Sequence, residues 1–211
     1  MQDAFVGGWA QQPHFSVETL GSVHDLNHRF LDLVGAPPGQ SLDGNWPAPG
    51  RLKLPGEVWA QVAPLSAAQR AAAAHCPYAL FDLRFHDDEH WRTRLAKAGH
   101  WRIADETLSE DDTVNFVRLA LFYAWHVAWT ANLAAQLLLG MSELTAAAFR
   151  SVTLNRLPAL VAGEVDTLTA RWCTSGAFWG ALMRAASRTD AARLRRVQLF
   201  GLQLAAAARL P

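Results

Sequence analysis

The sequence predicts an all-α protein, a multi-helix bundle around a central apolar helix at about residues 110–140. Alanine is abundant, runs of β-branched residues are absent, and apolar residues recur at spacings of three and four. Half of the 211 residues are apolar and 18% are charged, so a sizeable core can form. A chain of this length buries roughly 70% of its surface on folding. We expect a single all-helical domain over residues 1–211.

The first half of the chain is predicted to contain one long helix, a loop and several short helices. Ser16 is placed to cap a helix over Val17–Val34. Residues 35–56 contain five Pro and five Gly, which predicts a long loop. Asp87 or Asp88 can cap the last of the short helices. These short helices are expected at Glu57–Ala63, Ser66–His75 and Glu89–Ala98.

The second half opens with the central helix, which is predicted to begin near Glu110 and to end at Gly140. Ser142 can cap a helix that continues to Val152. A short helix then opens near Thr153 and Leu154, with an irregularity at Pro158. Thr174 or Ser175 and then Asp190 are the expected caps of the last two helices, residues 176–187 and 191–210.

An uncharged stretch of 24 residues, Leu119 to Ser142, is long enough to span a bilayer. His126, Asn132 and Gln136 lie within it and point in different directions on a helix, which is costly in lipid. A central helix that is covered on all sides in a soluble bundle explains the same apolar character. We therefore expect no membrane association.

The zero net charge of the chain hides an asymmetry. Residues 1–112 contain nine Lys and Arg against fifteen Asp and Glu, whereas residues 171–211 contain seven Arg and one Asp. Such a split is typical of a basic face for nucleic acid, or of two parts that dock on one another or on a second copy. The two cysteines, Cys76 and Cys173, lie far apart without metal-ligand spacing, and the first residues lack a signal-peptide pattern. These features predict a reduced, cytoplasmic protein.

Two segments suggest an internal repeat with halves 16–100 and 110–211. Residues 65–85 and 152–172 are both 21 residues long, and each ends in an arginine followed by an aromatic residue. Each is followed within seven residues by a further tryptophan, Trp91 or Trp179. Chance similarity between alanine-rich helices is the alternative explanation.

The segment "LLLGMSELTAAAF" predicts two helices joined by a turn at Gly140, either a DNA-reading pair or a bend in the core. A DNA-reading pair needs a small residue four positions before the turn glycine, where Gln136 lies. Arg150 is the only basic side chain that the second helix would present to the DNA. An alanine-rich helix of this kind favours packing over base recognition.

The stretch from Gln136 to Val161 resembles the D subunit of the bacterial flagellar master transcriptional regulator. The resemblance uses an aliphatic-Gly-aliphatic-polar-Glu turn and a Thr-Leu helix opening. The residues concerned are Leu139, Gly140, Met141, Ser142, Glu143, Thr153 and Leu154. The resemblance implies an all-α transcription regulator that works in an oligomer with a partner, and it identifies no base-contacting residue.

Arginines near the end of the chain are the better electrostatic candidates for nucleic-acid binding, because guanidinium groups neutralise phosphates. An amphipathic packing helix explains the last of them equally well. With Arg150, the candidate residues are Arg184, Arg188, Arg193, Arg195 and Arg196.

Histidine spacing gives the one indication of an enzyme. The sequences "HDLNH" and "HDDEH" place His24 with His28, and His86 with His90, at i,i+4 spacing, which on a helix can hold one metal ion. His86 is expected to precede its helix, where this geometry fails. No phosphate-binding loop, nucleophile motif or HExxH occurs in the sequence.

Three hypotheses follow from these patterns. The first is a non-enzymatic regulator resembling a transcription factor, which acts as an oligomer or with a protein partner and has DNA as a possible ligand. The second is a helical adaptor without DNA affinity, with exposed tryptophans as interface anchors. The third is a metal-dependent enzyme that uses the histidine pairs, and it alone requires a divalent metal. No other cofactor, and no nucleotide, is expected.

Overall fold

The computed structural model describes residues 16–35, 52–97 and 111–208, and this part of the chain is almost entirely helical. Two short antiparallel strands, β1 (Phe81–Asp82) and β2 (Thr169–Ala170), and 3-10 turns at Leu154–Arg156 and Val165–Thr167 accompany the helices. The α-helices of these ranges are α1 (Val17–Gly35), α2 (Gly56–Val62), α3 (Ala67–Ala74), α4 (Asp88–Lys97), α5 (Asp112–Thr130), α6 (Asn132–Leu139), α7 (Glu143–Arg150), α8 (Pro158–Glu164), α9 (Gly176–Ser187) and α10 (Ala191–Ala207). The predicted all-α fold class is confirmed.

The central apolar helix is present but is divided in two. α5 packs against α1, α6, α7 and α8 and so forms the centre of the bundle. Its first turn is capped by Asp111, whose carboxylate accepts hydrogen bonds from the amides of Thr113 and Val114 at 2.7 and 3.3 Å. The prediction of a single helix that ends at Gly140 is wrong. Ala131 has φ −151° and ψ 71°, outside the helical region, and it separates α5 from α6. Among the described residues, no helix is both long and apolar enough to cross a membrane.

Side-chain caps open the helices where the sequence indicates them. The hydroxyl of Ser16 accepts the Thr19 amide at 3.0 Å, and Asp87, rather than Asp88, accepts the His90 amide at 2.9 Å. Ser175, rather than Thr174, caps α9. Pro158 is the first residue of α8, so the expected irregularity is the junction with the preceding 3-10 turn. Most of the predicted loop, residues 36–51, lies outside the described residues.

Large aromatic side chains fill the centre of the core. Phe30 of α1 and Phe116 of α5 contact each other at a ring-centroid distance of 5.8 Å. Phe81 of β1 packs edge-on against Phe116 at 5.0 Å, and Trp179 of α9 lies 6.5 Å from Phe30. All four side chains are buried, so the long helices, the strand and α9 share one core.

Asn27 is a polar residue in the apolar inner face of α1. It is fully buried, and its amide group donates to the carbonyl oxygens of Tyr78 at 2.8 Å and Ala74 at 3.1 Å. Its side-chain oxygen accepts the amide of Leu80 at 2.7 Å. One side chain therefore holds α1 against the end of α3 and the extended segment that leads into β1.

The two strands connect the predicted halves of the chain. β1 and β2 pair with Phe81 opposite Ala170, and each is followed by a helix that contains a buried tryptophan. The indole of Trp91 donates to the carbonyl of Arg84 at 3.1 Å, and that of Trp179 donates to the carbonyl of Arg171 at 2.9 Å. These equivalent contacts support the internal repeat, and we propose on this basis that residues 16–100 and 110–211 are duplicated halves.

Candidate protein-binding surfaces

The turn between α6 and α7 is fastened to the rest of the core. Gly140 has φ +74°, the left-handed conformation that favours glycine. The guanidinium of Arg171 lies so close that a Cβ at position 140 would overlap it, and it donates to the carbonyl of Leu138 at 2.9 Å. Ser142 caps α7, and its hydroxyl also donates to the carboxylate of Asp88, the first residue of α4. The residues of this turn thus have structural roles: Gly140 adopts the left-handed conformation beside Arg171, and Ser142 caps α7.

α7 uses its inner face for packing. Thr145, Ala146 and Phe149 are buried, while Glu143 and Leu144 are exposed. The exposed face therefore presents an acid and a leucine rather than the polar and basic groups that read base edges. Arg150 is half-buried, and its guanidinium lies 3.5 Å from the carbonyl of Ala128 in α5.

The candidate arginines of the last two helices lie on the surface. Arg184 is in the last turn of α9 and Arg188 follows it, so both lie at the negative end of the helix dipole. Arg193 forms an ion pair with Asp190 at 3.3 Å. Arg195 and Arg196 are exposed on α10, and the described residues contain no ion-pair partner for either. The structure thus leaves guanidinium groups available along α9 and α10.

The four candidate histidines do not form a common centre. His24 stacks on His75 at a ring distance of 4.7 Å, and His28 lies 3.6 Å from Asp32. His86 precedes α4, as expected, and lies 3.6 Å from Asp82. His90 lies 2.8 Å from a carboxylate oxygen of Glu164. Within the described ranges, no three His, Cys, Asp or Glu residues are grouped so that they could hold a metal ion.

Glu164 is the most deeply buried carboxylate of the described residues. Its second oxygen accepts the guanidinium of Arg94 at 2.6 Å, and the hydroxyl of Thr167 lies 3.0 Å from the oxygen that faces His90. Buried charges are retained when they are paired and hydrogen-bonded in this way. His90 and Arg94 of α4 therefore both bind the buried carboxylate of Glu164 at the end of α8.

A cleft of about 590 Å³ lies between the Gly140 turn, the segment after β1 and the end of α10. Its polar lining includes Asp82, His86 and Glu143, and the hydroxyl of Ser142 is committed to the cap and to Asp88. Both cysteines are free thiols, and burial raises the pKa of Cys76 to about 12, which keeps it protonated and unreactive. Neither cysteine is among the residues that line this cleft.

The outer face of α5 exposes large apolar side chains. Leu119, Phe122, His126 and Trp129 share one side of the helix by their spacing of three and four. Trp129 is 54% exposed and Leu119 is 44% exposed. Trp125 flanks them at a ring distance of 6.2 Å from Trp129, and its indole is fixed by a 2.8 Å hydrogen bond to the carbonyl of Val152. These five residues define the α5 face, on which Leu119, His126 and Trp129 are exposed and Phe122 and Trp125 are partly buried.

α10 packs directly on α9, and it also lies against Tyr78. The Tyr78 hydroxyl donates to the carbonyl of Gln198 at 3.2 Å, and a Cβ at Gly201 would overlap the tyrosine ring. Glycine at this position therefore permits the close approach of the helix. The opposite side of α10 carries Leu199 and Leu202, which are 61% and 42% exposed.

Comparison of the chain with known protein families, with curated proteins and with solved structures finds no match. The resemblance of residues 136–161 to a flagellar regulator subunit is not tested by these comparisons and stays a prediction.

Proposed function

We propose that the chain is a non-enzymatic regulatory protein that acts by binding an amphipathic helix of a partner protein on the α5 face. The observation that carries the proposal is the exposed pair of Trp129 and Leu119 on a helix whose other side is buried in the core. Tryptophan is the residue most enriched among the side chains that dominate binding energy at interfaces.

The shape of the α5 face supports a helical ligand. From Leu119 to Trp129 the patch extends about 15 Å, or nearly three helical turns. An amphipathic helix laid along it would match apolar residues at i, i+3, i+4 and i+7, a common mode of recognition. The α5 face lies within the uncharged stretch of the sequence. Binding of a partner helix would explain the apolar character of this stretch without membrane insertion.

Site-specific photocrosslinking tests the proposal. A photoreactive residue at position 129 should capture the partner in cells, whereas the same residue at Leu144, an exposed leucine on α7, should not. The captured protein would then be purified and titrated against the chain. Trp129→Ala should weaken this binding at least about tenfold, and Leu144→Ala should leave it unchanged. Equal capture from both positions, or unchanged binding by Trp129→Ala, would refute the proposal.

Nucleic-acid binding is a second candidate, favoured by the exposed guanidinium groups of α9 and α10. A fluorescent random-sequence duplex would be titrated with the protein between about 50 and about 200 mM salt. Affinity that falls steeply with salt and is lost in Arg195→Glu/Arg196→Glu would assign a phosphate contact to α10. A flat titration at the lowest salt concentration would exclude DNA binding by the chain alone.

A further inference from the structure

A groove between α1 and α5 borders the α5 face. Two adjoining cavities of about 600 Å³ and about 400 Å³ form it, and both are lined by Ser22 of α1 and Tyr123 of α5. Leu119 lines the larger cavity and His126 the smaller one, and both residues also belong to the α5 face. The hydroxyl of Tyr123 donates to the carbonyl of Thr19 at 2.8 Å and so joins the two helices along the groove. A helix bound on the α5 face would therefore also lie along α1.

The α1 side of the groove carries carboxylates at regular spacing. Glu18, Asp25 and Asp32 line the groove and follow one another at seven-residue intervals, so they lie on one side of α1 about 10 Å apart. We call these three residues the α1 acidic edge. Asp32 binds Arg70 at 2.6 Å. Glu18 and Asp25 are exposed, and neither has an ion-pair partner among residues 16–35, 52–97 and 111–208.

The end of the groove next to Trp129 has no compensating positive charge from lysine or arginine. Among the described residues that line the smaller cavity, which contains Glu18 and His126, none is a lysine or an arginine. Arg29 lines the larger cavity, and a third cavity that continues the groove away from Trp129 contains both Arg29 and Asp112. The field at the Trp129 end therefore favours a positively charged ligand and disfavours nucleic acid or an anionic membrane surface.

We propose that the helix bound by the α5 face is basic along one edge, with Lys or Arg side chains seven residues apart that pair with Glu18 and Asp25. This inference rests on the proposed function and names the chemistry of the partner. Helices that pack side by side keep a seven-residue repeat in register, so the same spacing on the ligand places a positive charge opposite each carboxylate. An exposed pair adds up to about fivefold in affinity, and such pairs select among partners and fix the position of the bound helix.

Two designed peptides test the charge preference. Both form amphipathic helices of about three heptads with the same leucines, and one has lysine where the other has glutamate, at seven-residue spacing along one flank. Fluorescence anisotropy would measure their binding. At about 50 mM salt the lysine peptide should bind at least about tenfold more tightly than the glutamate peptide, and the difference should shrink at about 200 mM salt. Trp129→Ala should weaken the binding of the lysine peptide.

Charge reversal on α1 tests which carboxylates are responsible. Glu18→Lys/Asp25→Lys should invert the preference, so that the glutamate peptide binds more tightly than the lysine peptide. Glu57→Lys/Glu143→Lys is the matched control, because it reverses two exposed acids outside the groove that, like Glu18, lie in the first turn of a helix. This control should keep the preference for lysine. Circular dichroism would verify that both variants stay helical.

Equal binding of the two peptides by the wild-type chain would overturn the proposal, and so would binding of neither peptide. A preference for lysine that survives Glu18→Lys/Asp25→Lys would also overturn it. Self-association of the wild-type chain that the same change abolishes would assign the groove to a second copy instead. Photocrosslinking from position 129 tests the α5 face by itself, so the α5 face can be confirmed even where the charge preference fails.

Discussion

Replacing Asn27 with leucine should strongly destabilise the protein, although leucine is close in size and the position is in the core. The substitution leaves the buried amide of Leu80 without an acceptor and the carbonyls of Tyr78 and Ala74 without the asparagine donor. An orphaned buried polar group costs about 1 to 3 kcal/mol, and the added apolar surface recovers about 1 kcal/mol. Three such groups give an expected loss of about 2 to 8 kcal/mol, a large share of the total stability of a domain.

Urea denaturation monitored by circular dichroism measures this loss. The midpoint should fall while the slope of unfolding free energy against urea stays the same, since the variant exposes a similar surface on unfolding. Asn155→Leu is the control, because Asn155 is exposed in a 3-10 turn, and its stability should change by less than about 0.5 kcal/mol. A loss below about 1 kcal/mol for Asn27→Leu would refute the view that this side chain holds α1 in place.

Three further predictions follow from buried groups and close contacts. Glu164→Gln should lower the free energy of unfolding, measured by urea denaturation, by about 3 kcal/mol, because it leaves the partly buried Arg94 without its carboxylate. An unchanged free energy of unfolding would show that the pair is dispensable. Gly201→Ala should destabilise the protein by about 1 to 3 kcal/mol, because the added Cβ overlaps Tyr78. The control is Gly21→Ala, where the added Cβ meets open space and should stabilise the protein by up to about 1 kcal/mol. Equal effects of the two substitutions would contradict the close approach of α10 to Tyr78. Burial, reinforced by a neighbouring imidazole, lowers the pKa of His24, so the folded state resists protonation and stability should fall as pH drops below about 6.5. His24→Gln should flatten this dependence, and an unchanged slope would assign it to other groups.

The "HDLNH" motif shows how far sequence reasoning reaches in this protein. The i,i+4 spacing drew attention to His24 and His28, but the residue that the fold uses most is Asn27 between them. Asn27 continues the apolar series Val23, Leu26 and Phe30, so a polar residue at an inward position was the available signal. Its partners are backbone groups about fifty residues later, and no local pattern identifies them.

Helices and their caps could be predicted because their signals are local. The strands could not, because two residues are too few to show alternation and their pairing depends on distant contacts. The break at Ala131 also lacks a local signal, since alanine is a strong helix former. The sequence predicted that exposed tryptophans would act as interface anchors, but it did not indicate which ones. Which tryptophans face outward depends on packing. Trp91 and Trp179 are buried, whereas Trp129 is exposed.

The pairing of β1 with β2 affects the order in which the protein can fold. Phe81 and Ala170 are roughly ninety residues apart, so closing this contact has a high entropic cost and belongs to the late steps of folding. During synthesis, the apolar segment around Leu80 and Phe81 leaves the ribosome well before β2 exists. The backbone groups of β1 therefore have no strand to pair with until the second half of the chain is made, and apolar groups that stay exposed in this way favour aggregation.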